Sequence, residues 1–236
     1  MKAILIYTAL LNHQLKLTVI LFLVIGLATI QAQTDTASNT VTDIDGNVYH
    51  TITIGTQTWS VEDLKTTKYR NGDTIGTTNP TTLDISSEIE PKYQWAYNGD
   101  ESNVTTYGRL FTWYAATDKR NIAPVGWHVP SNAEWDTLTN FLGGDKAAQA
   151  KLKEAGTIHW NSPNDGTNES GFTALPGGNY WGKKFRGIGV FTHWWTATEY
   201  NTKFAWRRML QNDGPVINYK GSSGKEVGWL VRCIKD

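Results

Sequence analysis

The sequence predicts an α+β domain, and three observations carry that prediction. Residues 40–54 (TVTDIDGNVYHTITI) place an Asp45-Gly46 dipeptide between alternating positions, the pattern of a β-hairpin. Residues 131–144 (SNAEWDTLTNFLGG) carry an apolar period between a start and a stop signal, the pattern of an amphipathic helix. Residues 157–219 have no helical period and are rich in Gly, Asn, aromatic side chains and short β-prone runs, a long-loop half of the same domain.

The N-terminus sets the compartment. Lys16 precedes an uncharged apolar run, LTVILFLVIGLATI, that ends at Ile30 and is followed by Gln31-Ala32-Gln33. The run is shorter than the roughly 20 residues of a membrane span, so residues 1–32 read as a secretory signal cleaved after Ala32. Residues 33–39 form a polar leader, and the fold begins at Thr40.

In the hairpin, Val48, His50, Ile52 and Ile54 alternate with Tyr49, Thr51 and Thr53. Its turn looks like the start of a calcium loop, but the twelfth position, where an EF-hand needs a bidentate Glu, is Ile54. Residues 55–59 open a second strand that leads to Leu64, and residues 74–90 form a polar, irregular surface excursion. Tyr93, Trp95 and Tyr97 alternate as a short aromatic strand. Tyr107, Leu110, Phe111 and Tyr114 lie at i, i+3, i+4 and i+7, which predicts a helix over residues 107–116.

Ser131 and Glu134 make a capping box, so the next helix starts at Asn132. Trp135, Leu138, Phe141 and Leu142 form its apolar face, and Gly143-Gly144 ends it. Asp145 caps a third helix through Ala155. The final stretch, residues 226–235, reads as a strand with Val227, Trp229, Val231 and Cys233 on one face. No repeat or linker interrupts residues 40–236, which therefore form one domain.

Composition narrows the function. The chain balances 22 basic against 22 acidic side chains, which argues against nucleic acid and against an electrostatic hold on anionic membranes. Cys233 is the only cysteine, so the exported monomer has no internal disulfide, and its place in an apolar pattern marks it as an inert core thiol. His50, His128, His159 and His193 have no zinc spacing, and there is no GxSxG turn or phosphate loop. Asp and Glu are plentiful, but no spacing selects a hydrolytic carboxylate pair.

Two candidate sites remain. Residues 160–169 (WNSPNDGTNE) gather the oxygens of Asn161, Asn164, Asp165, Asn168 and Glu169 in a short loop, the ligand type calcium prefers. The second candidate takes aromatic faces from Trp160, Tyr180, Trp181, Trp194 and Trp195 and hydrogen-bonding groups from Asn179, Arg186, His193 and Glu199. Trp194 and Trp195 are adjacent and face opposite ways in a strand, so at most one of them serves a ligand.

The segments VTDIDGNVYHTITIGTQTWSVEDLK, YGRLFTWYAA, GWHVPSNAEWDTL, NESGFTALPGGN, WWTATE and VRCIKD occur in that order. Together they resemble the Fibrobacter succinogenes major paralogous domain, FISUMP, over nearly all of residues 40–236. The resemblance implies an exported or lipid-anchored bacterial protein, and no cysteine near the cleavage point supports a lipid anchor. A more distant similarity runs to the formylglycine-generating-enzyme and C-type-lectin-like group. It implies a twisted antiparallel sheet flanked by two to three helices, with the ligand site in the long-loop half. The copper oxidase chemistry of those enzymes needs more cysteine than Cys233 provides. The Glu-Pro-Asn or Gln-Pro-Asp triplet of calcium lectins is missing, and Trp160-Asn161-Ser162 matches their Trp-Asn-Asp motif only in part.

These readings give one leading expectation, a secreted non-catalytic module that recognises a polysaccharide or another surface polymer. An envelope protein that binds another protein and a divergent hydrolase are the alternatives.

Overall fold

The computed structural model describes residues 39–212 and 220–236. The signal segment expected over residues 1–32, and the leader up to residue 38, lie outside the described residues. The rest is α+β. Strands β1 (Thr40–Thr42), β2 (Val48–Ile54) and β3 (Gln57–Ser60) are followed by β4 (Gln94–Trp95), helix α1 (Ser102–Tyr107), β5 (Leu110–Phe111) and helix α2 (Trp113–Ala116). Next come β6 (Trp127–His128), α3 (Asn132–Phe141) and α4 (Asp145–Leu152). The remaining strands are β7 (Gly177–Trp181), β8 (Lys184–Ile188), β9 (Phe191–Glu199), β10 (Phe204–Gln211), β11 (Lys220–Gly224) and β12 (Ile234–Lys235). None of the described helices is long and apolar enough to cross a membrane.

The strands form two five-stranded sheets, β1-β2-β3-β12-β6 and β11-β10-β9-β7-β8, plus the small pair β4-β5. Among the described residues the pairings between these strands are antiparallel except β7 with β9, which run parallel at Gly178 and Thr192. The hairpin read at residues 40–54 is present, with Thr40 opposite His50 and Thr42 opposite Val48. Its turn is tied by the Asp43 carboxylate, which accepts the backbone N–H groups of Asp45 and Asn47 at 2.9 Å each. The carboxylates of a calcium loop point at a cation; this one points at its own backbone.

Helix α3 starts where the capping box places it. Ser131 Oγ accepts the Glu134 backbone N–H at 3.3 Å, and Glu134 accepts the Ser131 backbone N–H at 2.7 Å. Trp135, Leu138 and Leu142 are buried, whereas Phe141 is 64% exposed and leaves the predicted face. Helix α4 ends at Leu152 rather than Ala155, because Lys153 turns extended and bridges to Ala174.

The helix predicted over residues 107–116 does not form. Gly108 sits at φ 74°, and a Cβ there would stand 2.9 Å from both the Asp63 Cβ and the Leu64 carbonyl oxygen. The chain then becomes extended, since Phe111 exchanges backbone hydrogen bonds with Trp229 at 2.7 and 3.0 Å. Two tertiary hydrogen bonds outweigh a helical period of four residues, and the segment becomes α1, β5 and α2. The expected two to three helices are accordingly four short ones among the described residues. The half read as long loops, residues 157–219, contains β7 to β10 of the second sheet instead.

The final stretch links the two sheets and is not one continuous strand. Tyr180 bridges Gly228, Phe111 bridges Trp229 and Trp194 bridges Leu230, before Ile234 pairs with both Trp59 and His128. Its alternation survives this irregularity. Val227, Trp229, Val231 and Cys233 enter one hydrophobic cluster, with Tyr49, Phe111, Trp127 and Trp195; Leu230 and Ile234 enter the other, with Trp59, Trp135, Phe172 and Trp194. Cys233 is fully buried, and burial pushes its thiol pKa up, as an inert thiol requires.

His128 ties this C-terminal stretch to α3. Its Nδ1 lies 2.6 Å from Asp236 Oδ1 and its Nε2 lies 2.8 Å from Glu134 Oε1. Donating to both carboxylates at once takes an imidazolium, which has two N–H donors. Burial opposes the charge, but Asp236 and Glu134 win and raise the His128 pKa. The stabilisation is therefore complete below the unfolded pKa of about 6.5 and disappears as pH rises through the folded pKa. In urea melts the stability gap between the wild-type protein and a His128→Gln variant is expected to be widest near pH 5.5 and to shrink by pH 8.5. A gap independent of pH would show that the clamp is not protonic.

Candidate functional site

The aromatic residues expected at a ligand site divide sharply by burial. Trp160 is 1% exposed, and its indole N–H donates to the Ala174 carbonyl at 2.9 Å. Trp194 is fully buried and donates to Asp63 Oδ1 at 2.7 Å. Neither has a face for a sugar. Trp194 and Trp195 do point to opposite sides, but each side is core. Asn179 is also buried, and its Oδ1 has no hydrogen-bond partner. His193 is enclosed, stacked on Trp229 with ring centroids 4.0 Å apart. Burial, helped by the charge of Arg207, holds its pKa well below the ordinary value. Glu199 is ion-paired with Lys225, whose ammonium lies 4.4 Å from the Trp113 ring centroid.

The oxygen-rich loop at residues 160–169 is engaged with its own surroundings. Asn164 donates to the carbonyls of Glu154 and Gly156, Asn168 pairs with Thr173, and Glu169 reaches Lys151 at 3.3 Å. Asp165 is ion-paired with Lys153, a lysine buried completely with its ammonium also on the carbonyls of Gln211 and Asn212. Asn161 packs against Gly189, its backbone N–H donating to the Gly189 carbonyl at 2.7 Å. A cation using Asp165 would have to take that carboxylate from a buried ammonium.

Trp181 and Arg186 remain, and the structure brings them together. Trp181 ends β7 and is 56% exposed, and the Arg186 guanidinium carbon lies 5.2 Å from its ring centroid. The hairpin that carries both is set by Gly178, at φ 68°, where a Cβ would fall 2.3 Å from the Arg186 carbonyl oxygen. Beside it opens a cleft of about 310 Å³, lined by Leu83, Asp84, Tyr180, Trp181, Lys183 and Glu226, with others. Tyr180 backs the cleft and is itself stacked on Trp95 at 4.4 Å.

The polar rim has a simple electrostatic layout. Asp84 and Lys183 form an ion pair at 2.8 Å, each with about half its side chain exposed. The Lys183 hydrogen bond, together with Ser86, holds the Asp84 carboxyl well below the usual range. Glu226 is exposed and has no cationic partner among the described residues. Sequence reasoning found Trp181 and Arg186 and missed the opposite wall. Leu83 and Ile85, two apolar positions flanking Asp84 within a mostly polar excursion, were the available signal.

The sequence model of the Fibrobacter succinogenes major domain matches residues 52–235. Neither a curated protein nor a solved structure matches the chain. The segments that carry the resemblance supply Trp59, Trp135, Phe172, Trp194 and Arg232 to the core, and Trp181, Arg186 and Glu226 lie outside all of them. With a match over well more than half of its length, and with its core built from those segments, the chain belongs to the Fibrobacter succinogenes major domain family.

Proposed function

We propose that this protein is an exported, non-catalytic binding module, lectin-like in role, whose cleft beside Trp181 takes a segment of polysaccharide. The observation that carries the reading is the exposed Trp181 indole at the mouth of a cleft rimmed by hydrogen-bonding side chains. A sugar ring offers apolar C–H groups on its faces and hydroxyls at its edge. An aromatic wall with a few polar groups around it matches both. The wall behind the indole is already packed, Tyr180 on Trp95, which lowers the ordering cost of binding.

The absence of catalysis in this reading rests on the carboxylates. A glycosidase acid must be kept protonated, which needs enclosure or a like charge nearby. Asp84 is held ionised by Lys183, and both Asp84 and Glu226 are exposed.

Trp181→Ala is the direct test. Loss of the stacking wall is expected to weaken binding to a soluble polysaccharide at least tenfold in affinity electrophoresis. Because the side chain is half exposed, the thermal midpoint should change little, in line with surface substitutions within about ±0.5 kcal/mol. The wild-type protein should release no reducing ends. Undiminished binding by the variant would move the site elsewhere. Adding EDTA or calcium to the same assay tests whether residues 161–169 take a cation.

A further inference from the structure

We propose that the ligand of this cleft is an anionic glycan, a polyuronate, and that Arg186 holds its carboxylate; this rests on the polysaccharide reading above. The β7–β8 hairpin and the start of β8 put three cations, Lys183, Lys184 and Arg186, within four residues beside the cleft. Asp84 neutralises Lys183 alone. Among the described residues Lys184 and Arg186 have no acidic partner.

The placement of Arg186 is what separates a binding group from a solvated surface charge. Its guanidinium carbon is 5.2 Å from the Trp181 ring centroid, and its Nη2 is 4.0 Å from where a Cβ of Gly182 would stand. The side chain thus folds back over the hairpin tip, whose Trp181 and Gly182 line the cleft. A guanidinium that lies over an indole leaves N–H donors free of that contact, and their fork can bind a carboxylate bidentately. Trp181 and Arg186 can therefore hold one uronate unit together, the indole on the ring face and the fork on the acid. Glu226 accepts from sugar hydroxyls and repels a carboxylate, which directs the acidic group of the ligand to the hairpin side. The chain as a whole carries a formal net charge of +0, so this preference has no general electrostatic source.

β8 is also an edge strand of its sheet, and cations on edge strands discourage pairing with other chains. That role predicts monodispersity and no ligand preference, so binding data separate the two. The experiment measures affinity of the full chain for polygalacturonate and for the same polymer after carboxyl reduction, with and without Arg186→Gln. The proposal expects the acidic polymer to bind at least tenfold more tightly. It also expects Arg186→Gln to abolish that preference, with affinity for the acidic polymer falling to that for the reduced one. Equal affinity for the two polymers overturns the anionic assignment and leaves the glycan reading standing, as does binding only to neutral polymers. Binding to no polymer sinks both. A preference that survives Arg186→Gln overturns the role of Arg186.

Discussion

Replacing Arg232 by methionine is expected to destabilise the protein by about 3–5 kcal/mol, the cost of breaking a buried ion pair from one side. Arg232 and Asp63 are 1% and 4% exposed. Arg232 Nε donates to Asp63 Oδ1 at 3.0 Å, its guanidinium also reaches the Phe172 carbonyl, and the same Asp63 oxygen accepts the Trp194 indole N–H at 2.7 Å. Burial already pushes the Asp63 carboxyl pKa up against the pull of Arg232. Without Arg232 the carboxyl would be protonated in the folded state. A raised folded pKa makes the variant lose stability as pH climbs above about 3.9, the unfolded value. Asp63→Asn in the Arg232→Met background should recover part of the loss and flatten that pH slope. Urea unfolding from pH 4 to 8 reads both effects. A loss below about 1 kcal/mol would mean that the pair is solvated, as surface pairs are.

Trp135→Ala should cost about 3–5 kcal/mol, the range for a buried tryptophan reduced to alanine. Trp135 is fully buried, with ring centroids 4.8 Å from Trp59, 5.8 Å from Phe172 and 5.5 Å from Trp194. It joins α3 to a strand of each sheet, so the cavity would open where the layers meet. Trp135→Phe is the sharper comparison. The Trp135 indole N–H is buried without a hydrogen-bond partner, so phenylalanine removes volume together with an unsatisfied donor. Its loss is expected to stay below about 1.5 kcal/mol, as for better-matched apolar exchanges. Equal losses for the two variants in a denaturant melt would show that the indole N–H is satisfied.

Both predictions concern residues from the segments that carry the family resemblance, and both concern the core. Trp135, Phe172, Trp194 and Arg232 come from four different segments and meet in one cluster, in which Trp194 and Arg232 bond Asp63. The most recognisable parts of this sequence therefore specify a fold. The residues proposed to meet the ligand lie on a hairpin and two loops outside them, which is why recognising the family leaves the ligand open.

Local chemistry was enough to place the Asp45-Gly46 hairpin, the start of α3 and the burial of Cys233. A turn dipeptide, a reciprocal cap and a period-two alternation act over a few residues and need no partner from elsewhere. Residues 107–116 had a helical period and still became three pieces, because Gly108 must pass Asp63 and Phe111 must bond Trp229, contacts made across 45 and 118 positions of chain. The aromatic candidates show the same division. Trp160, Trp181 and Trp194 are alike as residue types, and only tertiary packing decides that two are core and one is exposed. Composition gives a tryptophan its capacity to stack, while the neighbours that cover it determine whether that capacity is used for the fold or for a ligand.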